Sequence, residues 1–190
     1  MWQKELLKVL HNLPIYSQLP EYSQQVRYSE NLYKEWFFGD IGITRLINNG
    51  KDSEELLMVA ATFENYIHYG STTFKSIINS KHATTNVLNA LWHKLQNRYN
   101  HITEYEFIMS LLVSHKHCSS NILHDVALHI SNVGIGNQNN SYAQDSLLFI
   151  ANHENVSKDT LKLILTVPNI SYTISNIVQE TLSYKRRKAS

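Results

Sequence analysis

The residue types best suited to chemistry in this sequence gather between His115 and His153. His115-Lys116-His117-Cys118 is followed by His124, His129 and His153, and one thiolate with two imidazoles is a donor set for zinc. Adjacent residues in one turn point apart, however, which works against a chelate built from His117 and Cys118. His115 and His153 also suit a general base or a proton sensor, because histidine changes charge near neutral pH. The alternative is that both are solvated or bonded to the local backbone. Ser, His and Asp abound without a nucleophile elbow, a P-loop or a zincin helix. Gly134-Ile135-Gly136 lacks the third glycine and the preceding strand of a dinucleotide site. The expectation is a non-enzymatic chain with no catalytic residue, no metal and no cofactor.

Eleven tyrosines carry a different signal. Tyr105, Tyr142 and Tyr172 fall in the first turn of three successive expected helices, with Tyr99 just ahead of the first. Tyrosine gives broad contact area at low entropic cost and recurs at binding hot spots. These four, with His115 and His153, are the candidate partner-binding residues; the alternative is that the rings pack between helix starts with their hydroxyls in water. The basic cluster is Lys185, Arg186, Arg187 and Lys188. It suits a nuclear-import or nucleic-acid patch, or else four charges that complement the dipole of the helix before them.

The elements that must position these residues show as a repeat. Three ten-residue stretches align without gaps: N-S-K-H-A-T-T-N-V-L from Asn79, S-H-K-H-C-S-S-N-I-L from Ser114, and N-H-E-N-V-S-K-D-T-L from Asn152. Thr84, Ser119 and Ser157 are N-cap candidates whose hydroxyls accept a first-turn N–H. Ala83, Cys118 and Val156 precede them as hydrophobic staples. Cys118 thus stands where Ala and Val stand elsewhere, as a small hydrophobe. Apolar residues follow three and four apart: Leu88, Leu91 and Trp92; Leu123, Val126 and Ala127; Leu161, Ile164 and Leu165. Asp52 with Glu55 predicts a capping box for an earlier helix of this kind. A second set of starts lies between, at Ser71, Thr103 with Glu106, Ser141 with Gln144, and Ser171. A helix pair therefore recurs every 30 to 38 residues, the mark of an α-solenoid.

Residues 151–164, A-N-H-E-N-V-S-K-D-T-L-K-L-I, resemble a unit of the bacterial variant leucine-rich repeats, in which Ala-x-x-x-Asn-x-Ser/Thr precedes a short helix. The period of the pairs is similar to that of HEAT and armadillo repeats. The resemblance spans about residues 52–184, and Asp52 departs from it by standing where a small apolar residue belongs. It implies an all-α, right-handed α-solenoid of about four helix pairs that binds other macromolecules, and it implies no catalytic residue.

Residues 1–50 do not follow the repeat. Pro14 and Pro20, a helix expected over residues 21–38, and Gly39 and Gly42 suit an N-terminal helical cap over the exposed face of the first pair. The expected organisation is thus a cap at 1–50, repeats at 51–184 and a basic tail at 185–190.

Composition limits the partners. With 17 Lys and Arg against 16 Asp and Glu, the net charge of +1 supplies no broad footprint for nucleic acid or an anionic membrane. One cysteine excludes an internal disulfide framework. Residues 1–13 lack the apolar core of a signal peptide, and no run reaches the roughly 20 apolar residues of a spanning helix. The expectation is a cytoplasmic protein, or one exported to a host cell by a dedicated machine, that acts as an adaptor or bacterial effector-like scaffold for a protein partner. The second reading is a HEAT-like nucleic-acid binder using a groove and the basic tail.

Overall fold

The computed structural model describes residues 44, 47–50, 52–62, 71–96, 105–134 and 141–187. Most of the expected cap, Tyr99, the Thr103 box, residues 135–140 and Lys188 lie outside the described residues. Among the described residues the chain is all-helical, with no strand. The helices are α1 (Glu54–Thr62), α2 (Ser71–Ile78), α3 (Thr85–Gln96), α4 (Tyr105–Ser114), α5 (Ser120–Val133), α6 (Ser141–Asn152), α7 (Lys158–Ile164) and α8 (Tyr172–Arg187). They belong to two compact units, one up to residue 103 and one from residue 104.

In the first unit α1 packs on α3. Leu56, Leu57, Ala60 and Ala61 meet a core that includes Val87, Leu88, Leu91, Trp92 and Leu95, all buried. Lys94 donates from Nζ to the Ala60 carbonyl at 3.2 Å, giving the C-terminal end of α1 a cation where its unpaired carbonyls gather. Asp52 is not the cap of α1. Ser53 is: its hydroxyl accepts from the Leu56 N–H at 3.2 Å and its carbonyl from the Leu57 N–H at 3.0 Å. The Asp52 carboxylate accepts instead from the Ser80 hydroxyl. Thr84 caps α3 at longer range, 3.5 Å from the Val87 N–H, and donates to Glu54 at 2.7 Å.

In the second unit α4, α6 and α8 pack in succession, while α5 packs on α7. Two layers of helices result, with the core between them. The apolar spacing of α5 puts Ile122, Leu123, Val126, Ala127 and Ile130 into that core, each large side chain contributing about 1.5–3 kcal/mol. Gly134 ends α5 at φ 78°, a left-handed backbone that glycine adopts freely, with its N–H on the Ile130 carbonyl at 2.8 Å. Ser119, Ser157 and Ser171 cap α5, α7 and α8 through the N–H groups of Ile122, Thr160 and Ile174, at 3.3, 3.0 and 3.3 Å.

Two expectations change here. Leu165 is exposed, because α7 stops at Ile164 and leaves Leu165 as its C-cap. Gln144 serves the loop ahead of α8: it donates to the Asn169 carbonyl at 3.1 Å and accepts from the Ser171 N–H at 3.3 Å. Asn169, at φ 61°, holds the left-handed conformation that this loop requires.

Thr160 is fully buried, and its hydroxyl lies 2.8 Å from Ser157 Oγ and 3.1 Å from His124 Nδ1, tying α7 to α5. Ser157→Ala removes an N-cap acceptor and one partner of that hydroxyl. It should lower stability by about 1 kcal/mol or more, read as a lower urea midpoint, while Ser157→Asp should recover most of the loss.

Candidate functional site

The turn that leads into each repeated helix has one construction. In the three aligned stretches the second residue is Ser80, His115 or His153, and each accepts from the backbone N–H two residues on. Ser80 Oγ takes the His82 N–H at 3.0 Å, His115 Nδ1 the His117 N–H at 3.1 Å, and His153 Nδ1 the Asn155 N–H at 3.1 Å. The carbonyl of the same residue accepts from the staple residue: Ala83 at 3.0 Å, Cys118 at 2.8 Å, Val156 at 3.1 Å. With those amides paired, Ala83, Cys118 and Val156 are buried. The sequence carries this signal as a side-chain acceptor at one aligned position in all three stretches, though one is a hydroxyl and two are imidazoles.

His115 and His153 therefore do meet, but through backbone bonds. His153 Nε2 donates to the His115 carbonyl at 3.0 Å, and Asn155 Nδ2 donates to the Cys118 carbonyl at 3.0 Å. These bonds fix His153 as the Nε2–H tautomer, since its Nδ1 is an acceptor. The rings of His115 and His117 lie 5.5 Å apart. Burial, then His117, Lys116 and His153, hold the His115 imidazole below the usual histidine value. Cys118 is fully buried, and burial pushes its thiol up to about 12. A thiolate, the form that binds zinc or attacks an electrophile, is thereby disfavoured. Among the described residues no group of three or more His, Cys, Asp or Glu side chains is arranged to hold a metal ion.

The tyrosines divide by environment. Tyr105 packs edge-on to His129, centroids 5.6 Å apart, and burial lowers the His129 pKa against an opposing pull from Glu106. Tyr142 leans on Phe107 at 5.3 Å and remains 42% exposed. Tyr172 is 80% exposed. Phe149 and Tyr184 are further exposed aromatic side chains of this unit that the sequence reading passed over; only the packing of neighbouring helices distinguishes them from core residues. Lys185, Arg186 and Arg187 form the last turn of α8 rather than a tail after it, and Lys185 Nζ reaches the Glu154 carbonyl at 3.4 Å.

Among the described residues no helix is long and apolar enough to cross a membrane. No protein family matches the chain, and no curated protein or solved structure is significantly similar to it.

The state of Cys118 is directly measurable. Thiol reagents at pH 8 should leave it unmodified in the folded chain and react fully once urea unfolds it. Rapid labelling without denaturant would contradict both its burial and its raised pKa.

Proposed function

We propose that this chain is a non-enzymatic protein–protein interaction module, an adaptor or effector-like scaffold built as a HEAT-like α-solenoid. A partner segment docks along the side of the second unit where α4, α6 and α8 begin. The observation that carries the reading is the exposure of Tyr172 and Tyr142 at the starts of two neighbouring helices. A tyrosine ring has only two side-chain torsions to immobilise on binding, and at 80% exposure Tyr172 offers a large apolar area. The succession of α4, α6 and α8 supports the repeat architecture, since stacked pairs place every second helix side by side. The near-neutral charge favours a protein over a nucleic acid as partner.

The experiment is affinity capture with the full chain, with and without nuclease, followed by titration of the recovered protein against variants. Tyr105→Ala, Tyr142→Ala and Tyr172→Ala combined should weaken binding by about 2 kcal/mol or more. Tyr172→Ala alone is the cleaner probe, because the exposed ring contributes little to folding. Unchanged affinity in both overturns the tyrosine assignment. Recovery that vanishes with nuclease overturns the protein partner.

A further inference from the structure

The joint between the turn at 115–118 and the turn at 153–156 consists of acceptor nitrogens and carbonyls that work only in one protonation state. His115 Nδ1 must be unprotonated to accept the His117 N–H, and the His115 carbonyl must stay in place to accept from His153 Nε2. The His153 ring has the same requirement at Nδ1, which accepts the Asn155 N–H. An imidazolium has two donors and no acceptor. Protonation therefore turns the N–H···N bond within the turn into two donors facing each other.

The surroundings sharpen this. On its own turn His115 has Lys116 and His117 beside it, and the facing turn brings His153. The facing turn also carries Glu154, whose side chain is exposed, and the Lys185 ammonium of α8 reaches the Glu154 carbonyl. The ends of α4 and α6 bring Ser114 and Asn152, which carry no charge. Burial and each of the groups that act on the His115 ring, His117, Lys116 and His153, oppose a positive charge there.

We propose that this joint is a proton-operated switch: protonation of His115 opens its turn and releases the bonds that tie residues 115–118 to His153 and Asn155. The same opening acts on the bond from the Cys118 N–H to the His115 carbonyl, beside the buried Cys118 side chain. The α4–α5 connection then loosens from the α6–α7 connection on acidification. The switch stands apart from the partner reading, since it needs no ligand.

The linkage has a definite direction. The folded chain holds His115 below the value of 6.5 that the unfolded chain shows, so the unfolded chain takes up the proton first as pH falls. The stability contributed by neutral His115 is complete above pH 6.5 and declines below it, down to the lowered native value.

Urea unfolding of the full chain at pH 7.5 and pH 5, for the natural sequence and for His115→Ser, tests the switch. Serine already fills this position as Ser80, accepting the same N–H without titrating. Acidification should raise the unfolding constant severalfold more in the natural chain than in the variant, and equal pH dependence overturns the proposal. Should the variant fail to fold, NMR titration of the His115 ring in the natural chain decides. A midpoint below 6.5, with chemical-shift changes at the His117 and Cys118 amides that follow it, supports the switch. A midpoint at or above 6.5, or amides that do not follow, overturns it.

Discussion

The helices that follow the three aligned stretches, α3, α5 and α7, each start from a reversal of the chain, and the reversal leaves backbone N–H groups that have to be satisfied before anything can be buried beside them. Side chains at two fixed places meet that demand. The second residue of the turn accepts the N–H two residues on, and the sixth accepts a first-turn N–H of the new helix, as at His153 and Ser157. Between them the staple residue donates to the carbonyl of the second. Only then can Ala83, Cys118 or Val156 enter the core without a desolvated, unpaired amide. The core contacts of the following helix depend on this, because the staple and the cap set the angle at which the helix leaves the turn.

Bonds between turns place few demands on sequence in the three aligned stretches. In the second unit His153 and Asn155 donate to main-chain carbonyls of the preceding turn. A carbonyl is present whatever residue carries it, so the acceptor side imposes no sequence requirement. In the first unit the corresponding Ser80 donates to the Asp52 side chain, and there a specific residue is required. Asp52 thus departs from the small apolar pattern for a reason: it holds the Ser80 hydroxyl, while that oxygen still accepts from His82.

What the sequence made legible was local. Caps at Thr84, Ser119, Ser157 and Ser171, the buried staples and the apolar faces of α3 and α5 all depend on residues within four positions of one another. Assigning the first cap to Asp52 failed by one residue, because Asp and Ser are equally good caps and only the geometry shows that Asp52 is engaged elsewhere. Gln144 misled for a related reason. A glutamine three residues after Ser141 has the spacing of a capping box, but its amide serves a loop 25 residues further on. Leu165 followed the apolar period, yet helix α7 is only seven residues long. Its end is set by the turns through Thr166 and Val167 and by the loop that Gln144 holds.

The tyrosines at the helix starts differ in how far neighbouring side chains cover them. Tyr142 rests on Phe107, which stands two residues after Tyr105 on the neighbouring helix. Gln144 stands two residues after Tyr142, in the register that Glu106 holds ahead of Phe107 in α4. Its amide is committed on both sides, to the Asn169 carbonyl and the Ser171 N–H, so it fixes the loop entering α8. An apolar residue there would leave the Asn169 carbonyl and the Ser171 N–H without their clamp. The clamp sits directly ahead of Tyr172, the first residue of α8, whose ring is 80% exposed. The start of α8, and with it the place of Tyr172, is thereby set by a side chain of α6 that lies 27 residues before Ser171.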